Sequence, residues 1–186
     1  LRVPDSMKII LKGELKEGVY AKDLSLWIIG MIGSAGANYL SVEYHGDGVK
    51  SLSVSDRMTI ANLASEMGAK NAVFPPDEVL TEFYGEKDID GIWSDEGAEY
   101  ISELEIDLEE VVPLVAVPHQ VDHVKSVSKV AEQEIKLLKL YFMIGLPTET
   151  DEDIDEIINL TLKCKGIIDR RQSGCRITLT ISPFVP

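Results

Sequence analysis

The sequence predicts an α/β fold: a layered α/β/α sandwich with a mixed, mostly parallel sheet, completed by a C-terminal strand-helix-strand. Three observations lead there. Short apolar runs of strand length alternate with segments of helical periodicity, turns rich in glycine or proline separate them, and no internal repeat or low-complexity stretch interrupts the alternation.

Met7 to Leu11 is a short apolar strand, and Lys16-Glu17-Gly18 is a turn. Ala21-Lys22-Asp23 opens a helical stretch, DLSLWIIGMIGSAG, which Gly33 and Gly36 terminate because glycine accepts the backbone that ends a helix. Tyr39 to Tyr44 is the next strand. Ser53-x-x-Asp56 has the form of a capping box. After it, Ile60, Leu63, Ala64 and Met67 recur at i, i+3, i+4 and i+7, which makes one helix face apolar, and Gly68 stands at the expected C-terminus. Asn71 to Phe74 is a buried strand, Pro76-Asp77 starts a short helix, and GEKDIDG at 85–91 is a polar loop. Glu99 to Leu108 alternates as an antiparallel strand does, and Leu114 to Val117 follows. A polar connector then leads to the strand Leu138 to Ile144 and the turn at Gly145 and Pro147. Thr148 or Thr150 caps a helix from about Asp151 to Lys165, with Ile154, Ile157, Ile158 and Leu162 on its buried face. Its first turn, Asp151-Glu152-Asp153, complements the helix dipole. Arg176 to Ile181 is the final strand.

An apolar content of 45% over 186 residues suffices for a real core. Eighteen Lys and Arg against 32 Asp and Glu give a net charge of -14, which repels phosphate backbones and anionic membrane surfaces, so neither nucleic acid nor membrane is an expected partner. Cys164 and Cys175 are too few for a disulfide framework and lack CxxC spacing, which predicts reduced thiols. LRVPDSMKII has no leader pattern, and the longest apolar stretch, Leu26 to Ile32, is broken by Gly30. The expectation is a soluble, untargeted, cytoplasmic protein. The start without Met and the end at SPFVP look like cut points.

Several candidate sites fail on spacing. DIDGIWSDEG at 88–97 lacks the ligand positions of a calcium loop after Asp88 and Asp90. His119 and His123 have a zinc-compatible i, i+4 spacing but no third ligand. GMIGSAGAN at 30–38 lacks the order of a phosphate cradle, which leaves helix packing and a C-cap. No spacing of Ser, His and Asp nominates a triad. No metal site is expected.

At VPDSMKIILKGEL, AKDLSLWIIGMIG, EYHGDGVKSLSVSDRMTIANLASEMGA and VAVPHQVDHVKSVSKV, the chain resembles the large subunit of the 3-isopropylmalate dehydratase and homoaconitase branch of the aconitase family, from about Arg2 to Val130. The resemblance implies a hydro-lyase. It would hold a [4Fe-4S] cluster on three cysteines, leave one iron open to substrate, and interconvert hydroxy-acid isomers by dehydration and rehydration. Asn62 and Glu66 in IANLASEMGA match family positions beside cluster and substrate, and as i and i+4 residues they share a helix face. Where the family places IGSCTN with its first cluster cysteine, this chain reads Ile144-Gly145-Leu146-Pro147. Asn62 and Glu66 are therefore expected to be vestigial, with no catalytic or cofactor-binding residue retained.

LKLYFMIGLPTETDEDIDEIINLTLK followed by RITLTISPFVP resembles a strand-helix-strand of radical SAM enzymes of the cobalamin-binding type, over about residues 136–186. That family uses S-adenosylmethionine and a cluster held by CxxxCxxC, and Cys164 and Cys175 lie too far apart for that loop. Together the two resemblances predict a chimera of a truncated segment, 1–130, and a βαβ segment, 131–186, packed as one globular domain. Its expected status is a recombined domain retained for foldability, without native catalytic function or cofactor. The alternative is a cluster-less fragment of a hydroxy-acid dehydratase that retains binding or needs a partner subunit. A homo-oligomer through the exposed edge of RITLTISPF is a further expectation.

Overall fold

A computed structural model describes residues 2–85, 91–130 and 136–184, so most of the expected loop at 85–91, with Asp88 and Asp90, lies outside the described residues. The chain divides into two units, Leu1–Val130 and Ala131–Pro186. Its class is α/β, with mostly parallel strands and a C-terminal strand-helix-strand.

In the first unit, β1 (Ser6–Lys12), β2 (Ser41–His45), β3 (Asn71–Val73) and β4 (Ser102–Asp107) form one sheet in the order β3-β2-β1-β4, and every neighbouring pair is parallel. The helices α1 (Ala21–Ile32) and α2 (Val54–Leu63) make the crossovers from β1 to β2 and from β2 to β3. Side chains alternate along each strand. Met7, Ile9 and Leu11 of β1, Val42 and Tyr44 of β2 and Ile106 of β4 are buried in one cluster with Leu24, Ile28 and Ile29 of α1 and Ile60 of α2. The opposite face carries Lys8, Lys12, Glu43, His45, Glu103 and Glu105. The pairs Lys12–Glu105 at 2.6 Å and Lys8–Glu103 at 3.9 Å run across it.

That polar face explains a correction. The alternation in 99–108 predicts an antiparallel strand, yet β4 runs parallel to β1, from Met7↔Ser102 to Lys12↔Asp107. Alternation reports one wet face, whatever the strand direction.

The capping box at α2 forms as predicted. Ser53 Oγ accepts from the Asp56 amide at 3.2 Å, and Asp56 Oδ2 accepts from the Ser53 amide at 3.1 Å. The α-helix ends at Leu63, and the chain tightens into a 3-10 turn, Ala64–Met67, before Gly68 stops it at φ 85°.

Between β1 and β4 the winding of the sheet reverses, and the crevice beyond the carboxyl ends of such strands is the usual ligand position in open α/β sheets. Here the chain fills it. A Cβ on Gly46 would lie 2.1 Å from the Leu11 carbonyl oxygen, and one on Gly48 would lie 2.9 Å from Leu108 Cδ1. The turn Asp47–Ser51 thus sits against the end of β1.

Arg57 is 4% exposed. Its Nη1 and Nη2 donate to Asp77 Oδ1 and Oδ2, both at 2.7 Å, while Nε and Nη2 also donate to the Leu52 and Val49 carbonyls at 3.2 and 3.0 Å. Asp77 in turn caps α3 (Glu78–Tyr84) by accepting from the Leu80 amide.

The remaining elements of the first unit are the antiparallel pair β5 (Leu114–Ala116) and β6 (Val124–Ser126), followed by the short α4 (Val127–Val130). The strand β6 falls within the stretch expected to be a polar connector. Gly30 of α1 permits its approach, because a Cβ there would lie 3.2 Å from Val124 Cβ.

The second unit contains β7 (Leu137–Ile144), α5 (Asp151–Arg171) and β8 (Arg176–Pro183). Thr150 forms a capping box with Asp153. The helix runs past the expected Lys165 to Arg171, and its half-buried stripe is Ile154, Ile157, Thr161, Cys164 and Ile168. Ile158 and Leu162, expected on the buried face, are 52% and 62% exposed, because the longer helix settles on a stripe one residue away. Among the described residues β7 pairs with β8 alone, in parallel from Leu137↔Arg176 to Ile144↔Pro183. Leu138–Ile144, expected to complete the sheet of β2 and β3, is instead ordered in a two-stranded sheet with β8. Among the described residues no helix is long and apolar enough to cross a membrane.

Candidate functional site

At the N-terminus of α1, Asp23 is 8% exposed and each of its carboxylate oxygens accepts a backbone hydrogen bond. Oδ2 accepts from the Tyr20 amide at 2.8 Å, which caps the helix, and Oδ1 accepts from the Leu114 amide at 2.7 Å, which ties β5 to α1. At the other end of the same helix, Asp122 Oδ2 accepts from the Ser34 amide at 3.1 Å. That backbone hydrogen bond holds the Asp122 carboxyl below its usual range. The hairpin of β5 and β6 is thus pinned to α1 twice.

Between this hairpin, α1 and the end of α2 opens a cleft of about 630 Å³. Leu26, Ile29, Leu63 and Val115 give it an apolar floor, and Tyr20, Lys22 and Glu66 give it polar groups. The change from α-helix to 3-10 turn after Leu63 decides how the two family-matched residues fall. In a 3-10 turn, residues three apart eclipse, so Glu66 does not stay directly in line with Asn62. Glu66 lines the cleft, whereas Asn62 is exposed and is not part of its wall.

Replacing Asp23 with Ala is expected to destabilise the first unit by about 1–3 kcal/mol, since two backbone donors lose their acceptor. Urea unfolding measures it, and amide exchange at Leu114 should rise more than exchange in β1.

The other weighed residues are not brought together. His119 and His123 lie in the turn between β5 and β6, where the helical i, i+4 relation does not exist; the His123 carbonyl accepts from the Val117 amide at 2.8 Å. Among the described residues no group of three His, Cys, Asp or Glu side chains could hold a metal. Cys164 and Cys175 are free thiols.

A second group went unnoticed in the sequence. On the polar face of the sheet, Tyr100 Oη donates to Glu43 Oε2 at 2.7 Å, and His45 Nε2 lies 3.3 Å from each of those oxygens. Desolvation raises the Glu43 pKa, but hydrogen bonds from Tyr100 and His45 outweigh it and hold the carboxyl below its ordinary value. The legible signal was Glu43-x-His45, two residues apart on one strand and so on one face. Ending the strand at Tyr44 left His45 out.

The family model described as the aconitase family (aconitate hydratase) matches residues 1–141. The 3-isopropylmalate dehydratase large subunit 1 of Thermotoga maritima is 41% identical over 144 residues, covering 75% of this chain and 34% of that protein. The probable methanogen homoaconitase large subunit of Methanosarcina mazei is 44% identical over 132 residues, 69% of this chain and 34% of that protein. The 3-isopropylmalate dehydratase large subunit of Clostridium kluyveri is 44% identical over 137 residues, 72% of this chain and 33% of that protein. The chain spans about a third of the length of the curated relatives it matches.

These matches overturn the expectation of a recombined domain kept for foldability and without native catalytic function. The family match runs past residue 130 into β7, and the relatives carry the names of dehydratases and a homoaconitase.

Proposed function

The chain belongs to the aconitase family, and from that premise we propose that it is a segment of a hydro-lyase large subunit of the 3-isopropylmalate or homoaconitate type. The observation that carries this reading is the unbroken match over residues 1–141, which contains the whole lining of the cleft between α1, α2 and the β5–β6 hairpin. In it, Lys22 supplies a cation for a substrate carboxylate, the floor of Leu26, Ile29 and Leu63 excludes water from an aliphatic portion, and Glu66 stands as proton acceptor at the rim. Asn62, outside the lining, keeps only its family-matched place one turn earlier.

The [4Fe-4S] group implied by the family resemblance needs three thiolates. This chain has two cysteines, in α5 and just before β8, so its residues do not fit the group. A partner subunit or further chain would have to bring the cluster ligands. Residues 142–186 lie beyond the family match. Their likeness to a radical SAM strand-helix-strand rests on FMIGLPTET and ISPFVP alone.

Titrating 3-isopropylmalate into labelled protein tests the reading. We expect amide shifts confined to Tyr20–Asp23, Leu63–Glu66 and Leu114–Ala116, with affinity near the millimolar level, about -4 kcal/mol. E66Q should weaken the response. Shifts scattered over the surface, or none, would sink the proposal.

A further inference from the structure

The polar face of the four-stranded sheet carries a side-chain group that the proposed function does not use. Residues Trp93–Tyr100 run over that face without secondary structure of their own and are fastened at several points. Tyr100 Oη donates to Glu43 Oε2 at 2.7 Å. The His45 ring lies 5.0 Å from the Trp93 ring and edge-on to Tyr100 at 5.7 Å. Lys8 Nζ sits 5.1 Å above the Tyr100 ring. Just beyond, the Ile101 amide donates to the Ser6 carbonyl at 2.9 Å and fixes the start of β4. Between this segment and the sheet lies a space of about 380 Å³, bordered by Lys8, His45 and Trp93.

Glu43 is the point where these contacts meet. One donor from the segment, Tyr100 Oη, and one ring nitrogen from its own strand, His45 Nε2, meet at a single carboxylate oxygen. We propose that Trp93–Tyr100 is a strap clasped to the sheet through ionised Glu43, and that protonation of Glu43 releases it and uncovers Lys8 and His45.

Most of the surrounding elements bring charges to this point. From β1 comes Lys8, in register with Glu43; from β4 comes Glu103, paired with Lys8; from β2 comes His45; the strap carries Asp95 and Glu96 beside Tyr100. The β3 partner of Glu43, Val73, brings none. Desolvation pushes Glu43 toward protonation, and the hydrogen bonds of Tyr100 and His45 outweigh it. Because the folded carboxyl lies below its ordinary value, the clasp is fully made above the unfolded glutamate pKa and is lost as pH falls through the folded one. Charge-assisted hydrogen bonds of this kind are about twice as strong as neutral ones, so losing the charge weakens both of them together.

The test uses the intact chain with Trp27 replaced by Phe, which leaves Trp93 as the sole indole. As pH falls below the ordinary glutamate range, Trp93 emission should shift to longer wavelength and iodide quenching should rise, while far-ultraviolet circular dichroism stays constant. E43Q should show the released spectrum at neutral pH and no transition. Y100F, which removes a donor to the carboxylate, should move the midpoint to higher pH. The proposal is overturned by an unchanged Trp93 signal, by E43Q titrating like the parent, or by a Trp93 change that coincides with loss of circular dichroism.

Discussion

Replacing Arg57 with Ala is expected to cost about 3–5 kcal/mol of stability, the range for breaking a buried ion pair by removing one partner. Arg57 makes four hydrogen bonds from a buried position, two to Asp77 and two to backbone carbonyls, so truncation strands a carboxylate and two acceptors together. D77N should cost less, because asparagine can still cap α3. The double variant R57A/D77A should cost less than the sum of the singles, since no uncompensated charge remains. Denaturant unfolding of R57A, D77A and R57A/D77A, with D77N beside them, checks this; strict additivity would mean that the pair is not coupled.

The pair also sets a pH dependence. Burial raises the Asp77 pKa, but the hydrogen bonds and charge of Arg57 outweigh it and hold the carboxyl below its ordinary value. A depressed folded pKa gives stability that is complete above the unfolded pKa of about 3.9 and is lost as pH falls through the folded one. The parent should therefore lose stability on acidification more steeply than D77N.

Gly46→Ala is expected to be comparably damaging, and Gly18→Ala supplies its control. Both glycines have positive φ, 96° and 82°, so both substitutions carry the left-handed penalty of about 1–2 kcal/mol. At Gly18 nothing lies within 4 Å of the added carbon. At Gly46 it would lie 2.1 Å from the Leu11 carbonyl oxygen, which forces the central strand to move at a further cost of about 1–3 kcal/mol. The midpoint shift of G46A should be about twice that of G18A. Equal shifts would show that the end of β1 yields freely.

Much of the fold was legible because its signals are local. The box Ser53-x-x-Asp56 and the stop at Gly68 depend on residues within one turn, and both form. The start of α1 at Ala21 and its closure at Gly33 were equally readable. What failed depends on distant partners. Arg57 looks like an ordinary solvated helix residue until Asp77, twenty residues on, supplies the reason for its burial. The direction of β4 is set by β1, and nothing within 99–108 records it. The candidate site divides the same way: the motif names Asn62 and Glu66 as a pair, but only Glu66 lines the cleft, because of a local change of helix type that the apolar stripe does not encode. Tyr100 is brought to Glu43 and His45 only by the fold, which is why that group was missed.

The order β3-β2-β1-β4 puts β1 between its two neighbours. During synthesis β1 leaves the ribosome long before Ser102–Asp107 exist, so one of its hydrogen-bonding edges waits while some hundred residues are translated, on the order of ten seconds at typical elongation rates. Through that interval the strand carries Ile9 and Leu11 beside an unfilled edge, the condition in which a nascent chain recruits a chaperone or a neighbour on the same message.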